Sequence, residues 1–109
     1  MATAEQVQEQ LIERISGVQR QGPGVPIEVL AVRVPSIRPT LNIEMDVQVS
    51  EERWRVSLAY SGPDASMVSG DLTESSMHTL ELLVRTNLFD WWHTKDTERA
   101  SARMGRRLT

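Results

Sequence analysis

The chain has two imidazoles, His78 and His93, and each has carboxylates at helical spacing. Asp90 and Asp96 lie three positions before and after His93, and Glu74 lies four before His78. Side chains three or four apart share one helix face, so each group is a conceivable half-site for a metal. Di-metal carboxylate bundles repeat that motif and add carboxylates from other helices. Here Asp90-His93-Asp96 stands alone, and surface hydrogen bonding accounts for both groups, so no metal or other cofactor is expected. With no cysteine there is no thiolate nucleophile, and neither a nucleophile elbow nor a glycine-rich phosphate loop is present. Glu44 with Asp46 and Glu51 with Glu52 are carboxylate pairs. On a strand face and in a hairpin loop they lack the apolar enclosure that raises a carboxyl pKa for acid catalysis. The expectation is a chain that is not an enzyme.

Two other residue groups carry information. Trp91 and Trp92 are adjacent, and neighbours on a helix point about 100° apart. Trp91 falls on the main apolar stripe of its segment, where it can meet Trp54 from the sheet, and Trp92 falls at the edge. Tryptophan is enriched at interface hot spots; the competing reading is that Trp92 lies under the C-terminal tail, stacked with an arginine. The second group is that tail. Lys95, Arg99, Arg103, Arg106 and Arg107 outnumber Asp96 and Glu98, so a basic tail follows an acidic body within a chain of net charge −3. Arginine forks suit carboxylate and phosphate alike.

The elements that must position these residues read as follows. Val7, Leu11, Ile12, Ile15 and Val18 recur at helical spacing, Thr3 with Gln6 forms a capping box, and Gly22-Pro23-Gly24 ends that helix. Residues 25–34 are apolar on both faces, with Pro26 marking a strand start or edge, and Pro35 and Pro39 bracket a stiff connection. Residues 41–49 and 53–60 alternate cleanly. Pairing Val49 with Trp54, Val47 with Val56 and Met45 with Leu58 puts every apolar residue on one face, across a four-residue loop at 50–53. Residues 61–70 read as loop. Asp71 or Thr73 caps a long helix to about His93, whose stripe is Met77, Leu80, Leu83, Val84, Leu88 and Trp91. Leu82 and Phe89 fall on another face.

The order is α-β-β-β-α. It predicts a two-layer α+β domain over residues 1–94, with a three-stranded antiparallel sheet and two helices on one face. Residues 95–109 follow as a basic C-terminal tail or helix extension. This order resembles the double-stranded RNA-binding domain in topology alone. That module grips phosphates where its second helix begins, whereas here Gly70-Asp71-Leu72-Thr73-Glu74 repels them, so no residue role carries over.

Length and composition bound the function. The 109 residues make one domain, with a folded surface of about 6,100 Å². A composition of 39% hydrophobic and 25% charged residues excludes collagen-like and disordered classes. No apolar run reaches the roughly 18 residues of a membrane span. The N-terminus lacks a secretory pattern, so the expected location is cytoplasmic and no membrane partner is expected. Apolar surface in excess of one sheet face needs a cover. The leading expectation is therefore a non-catalytic protein-interaction or assembly module, partnered by itself as a homodimer or by a larger assembly. Its expected contacts are Leu82, Phe89 and Trp92, then Val32 and Val34. The alternative is a nucleic-acid-binding accessory protein acting through Arg99, Arg103, Arg106 and Arg107, with steep salt dependence.

Overall fold

A computed structural model describes residues 2–109. Helix α1 (Ala4–Ile15) opens with the expected capping box: Gln6 N donates to Thr3 Oγ1 at 3.2 Å, and Thr3 N donates to Gln6 Oε1 at 3.0 Å. The helix stops earlier than its apolar periodicity predicts. Gly17 adopts a φ of 90°, open to glycine and strained for other residues. It turns the chain into a short strand, β1 (Gly17–Gln19). Val18 is thus a strand residue, 53% exposed, and not part of the helical stripe.

The class is α+β, as expected, but the sheet is larger. Strands β1, β2 (Ile27–Ser36), β3 (Leu41–Val49), β4 (Glu52–Tyr60) and β5 (Gly105–Arg107) form one antiparallel meander in sequence order. The two added strands are its edges. Helix α2 (Glu74–Thr94) follows a short 3-10 turn at Ala65–Val68, and a single-turn helix α3 (Arg99–Ala102) precedes β5. Residues 95–109 are therefore not a free tail: α3 and β5 return the chain to the sheet. The surface of 6269 Å² matches that of a chain packed throughout.

Strand β3 alternates without a break, burying Leu41, Ile43, Met45, Val47 and Val49. The β3–β4 hairpin differs from expectation by two residues. Val47 faces Trp54, Met45 faces Val56, Ile43 faces Leu58 and Leu41 faces Tyr60. The loop is the two-residue Ser50-Glu51, with Ser50 at a φ of 54°, the positive φ that two-residue hairpin turns require. A slip of two preserves every inward residue, so the alternation alone fits both registers.

Strand β2 supplies a second correction. Strict alternation over residues 25–34 puts Val32 and Val34 on the opposite face from Ile27 and Val29, but all four are buried. The register shifts between Val29 and Ala31. The extra residue of this bulge, Leu30, is 43% exposed and restores the following residues to the core face. The strand's apparent two-sided apolarity is one face interrupted by a bulge.

Helix α2 is capped by Thr73, whose Oγ1 accepts from Ser76 N at 3.0 Å. It buries Met77, Leu80, Val84, Leu88, Phe89 and Trp91. Both long helices contribute to a single core with the inner sheet face. Arg14 fastens them together, its Nη2 2.6 Å from Glu74 Oε2 and its Nη1 3.3 Å from Glu81 Oε1. Asn87 Nδ2 donates to Tyr60 Oη at 2.7 Å, tying α2 to the end of β4; burial pushes the Tyr60 phenol up.

Candidate interaction surface

Three features of the sheet matter: the aromatic corner that anchors β5, the charge ladder on the uncovered face, and the arginines at the β5 edge.

The aromatic corner is built by β4, α2 and the turn after it. Trp91 is fully buried and meets Trp54 edge-on, with ring centroids 5.4 Å apart, as the helical stripe predicts. Trp92 meets Trp91 at 5.9 Å, also edge-on. The cation in this corner is Lys95, the chain's sole lysine. Its Nζ lies 4.4 Å from the Trp92 ring centroid and 5.1 Å from that of Trp54, and it pairs with Asp96 at 2.9 Å. Strand β5 closes the corner. A Cβ on Gly105 would lie 2.5 Å from Trp91 ring atoms, so only glycine admits the backbone here. Among the described residues Trp91 Nε1 has no hydrogen-bond partner.

The ladder lies on the face turned away from α1 and α2. Asp46 accepts from Arg33 Nη2 at 2.8 Å and from Arg55 Nε at 2.8 Å, and Arg33 Nε donates to Glu44 Oε1 at 2.7 Å. Asp46 and Arg55 face each other directly, a consequence of the observed register. The two guanidiniums, Arg55 first, hold the Asp46 carboxyl at about 2. That carboxylate is ionised and doubly bound, unlike a proton carrier working near neutrality.

The arginine edge combines β4 and β5. Arg106 stands opposite Arg55, and Arg107 opposite Trp54. Arg53 lies two residues from Arg55 and so points to the same face. Arg107 Nη1 is 3.5 Å from Glu52 Oε1. Among the described residues no carboxylate forms an ion pair with Arg53, Arg99, Arg103 or Arg106. Pattern reasoning found the tail arginines but missed Arg53 and Arg55, because nothing in the sequence joins β4 to residues fifty positions later.

The expected contact residues divide. Leu82 is 47% exposed and Trp92 is half-buried under Lys95, whereas Phe89, Val32 and Val34 lie in the core. Phe89 and Leu82 line a cleft with Arg20 and Gln21 of the β1–β2 connection, and Gly24 of that connection approaches the His93 ring. Asp90, His93 and Asp96 do not gather. Among the described residues no three His, Asp or Glu side chains form a metal-holding group. Glu74 binds Arg14 instead of His78. A cleft of about 420 Å³ lies between α1 and the approach to α2, lined by Gln6, Glu9, Asp71 and Leu72. Among the described residues no helix is long and apolar enough to cross a membrane. No family model, curated protein or solved structure matches the chain.

Proposed function

We propose that the chain is a non-catalytic protein-interaction module that receives its partner on the uncovered side of the sheet, with self-association as the first form to test. The one-sided layering carries this reading. Helices close one sheet face, and the other keeps Val18 and Leu30 exposed at the β1–β2 end, with arginines at the β4–β5 end. The two ends lie four strand spacings apart, about 19 Å. A surface of that breadth, apolar at one end and charged at the other, suits a protein chain better than a small substrate.

The test is absolute mass by light scattering behind a sizing column at several loadings. The expected result is a mass above the 12.3 kDa of one chain, falling to one chain when Val18 and Leu30 are both replaced by serine. A one-chain mass for the unaltered protein at every loading would reject self-association.

A second reading is nucleic-acid binding through Arg99, Arg103, Arg106 and Arg107. The specific observation in its favour is that Arg106 and Arg107 stand in β5, Arg106 opposite Arg55, while Arg99 stands in α3 and Arg103 caps its end. Deleting residues 95–109 would strip β5 from β4. Replacing the four arginines by glutamine leaves the backbone in place. Retained, salt-sensitive binding to an oligonucleotide by that variant would reject the reading.

A further inference from the structure

The β5 edge offers two complementary things at once. Arg106 pairs with Arg55, Ser57 N donates to Met104 O at 2.8 Å, and Leu108 N donates to Arg53 O at 2.7 Å. In an antiparallel ladder of that register the alternate residues, Gly105 and Arg107, turn their N–H and C=O groups away from β4. Among the described residues strand β5 pairs with β4 alone, so its far side is a short row of alternating donors and acceptors. This edge is also held firm, because Gly105 is seated on the buried Trp91 ring. Arg53 and Arg106 stand on the uncovered face beside it, and Arg103 lies exposed two residues before the strand; among the described residues no carboxylate is paired to any of the three.

We propose that the β5 edge takes up an acidic extended segment of a partner protein as a sixth strand, its backbone pairing with Gly105 and Arg107 and its carboxylates with Arg106, Arg103 and Arg53. The inference rests on the interaction-module reading and names the partner's chemistry. Charged residues on an edge strand discourage indiscriminate pairing; arginines select by sign, repelling basic edges and admitting acidic ones. Arg55, directly opposite Arg106, is already bound to Asp46, which leaves Arg106 as the guanidinium that an incoming carboxylate would pair. The same face already shows the bonding mode, in the Asp46 carboxylate shared by two guanidiniums. Peptide fits this edge better than nucleic acid because free strand amides and carbonyls find their match in another strand, not in a phosphate backbone.

The experiment uses the full chain labelled with ¹⁵N and three probes: a peptide of alternating glutamate and valine, its lysine-valine counterpart, and an oligothymidylate of similar length. Amide shifts locate binding, and fluorescence anisotropy measures it. The glutamate peptide should shift the amides of residues 103–108. Its affinity should fall by about tenfold in Arg106→Glu, the scale of losing one charge-assisted contact. The Arg103→Glu, Arg106→Glu double variant should then bind the lysine peptide, a rescue that a misfolded protein does not give. Tighter binding of oligothymidylate than of the glutamate peptide would overturn the proposal in favour of nucleic acid. So would glutamate-peptide binding that ignores Arg106, or shifts confined to the Val18–Leu30 end. If the glutamate peptide fails while Val18 and Leu30 still drive self-association, the acidic-strand proposal falls and the interaction-module reading stands.

Discussion

Both edges of the sheet are three-residue strands, and both begin with glycine, but the two glycines do different work. Gly17 sits at a φ of 90° with nothing within 4 Å of where a Cβ would lie. It is needed for a backbone turn from α1 into β1. Gly105 shows no such φ, and its Cβ position is filled by Trp91. It is needed for a contact with the core. The β1 edge is thus fixed locally, by conformation, and carries one exposed apolar side chain, Val18. The β5 edge is fixed from a distance, by packing, and carries charge. Rigidity at an edge can come from either source, but only the second makes the edge depend on the core.

The comparison breaks if the β5 edge survives loss of its anchor. Trp91→Ala empties a buried indole site and should cost about 3–5 kcal/mol, measured by urea unfolding, with backbone protection lost at residues 104–108. Gly105→Ala forces a methyl into the Trp91 ring and should cost up to about 3 kcal/mol. The two should be non-additive, because a smaller side chain at position 91 makes room for the methyl. Equal costs of Gly105→Ala with tryptophan and with leucine at position 91 would show that packing is not the reason for this glycine.

Gly17→Ala sharpens the other side of the comparison. There is space for the methyl, so the cost is that of the positive φ alone, about 1–2 kcal/mol. It should be independent of any change at Trp91. A cost above that of Gly105→Ala would invert the assignment of the two edges.

The central strands and helix caps were legible because their signals are local. Thr3 and Gln6 meet within one turn, and β3 alternates over nine residues. The edges were not. Three residues are too few for a period, and Gly105-Arg106-Arg107 reads as polar tail until Trp91 and β4 are placed beside it. The bulge at Leu30 was hidden because an apolar residue filled the extra position, making one interrupted face look like two. The hairpin register was missed because Ser50, not glycine or asparagine, takes the positive φ. Of the surface, the tail arginines were legible as charge. Their association with Arg53 and Arg55 was not, since it exists only through the β4–β5 pairing.

The two edges can be compared cleanly only if they hang on a middle that neither disturbs, and the Asp46 ladder tests that with the smallest expected effect. Asp46 ties β2, β3 and β4 together, and its pKa is lowered from 3.8 to about 2. A carboxylate with a depressed folded pKa stabilises fully above its unfolded value. That contribution fades as pH falls from about 4 through about 2. Arg33 and Arg55 are about one-third exposed, so solvent screening limits the contribution to about 1 kcal/mol. Unfolding free energies at pH 6 and near pH 2 should therefore differ less in Asp46→Asn than in the unaltered chain, by about 1 kcal/mol. The same decrement should appear in Gly17→Ala and in Gly105→Ala, because residues beyond direct contact act additively. A pH decrement that changes in one glycine variant and not the other would mean that this edge reaches into the ladder, and the division between a local edge and a core-dependent edge would then have to include the strands between them.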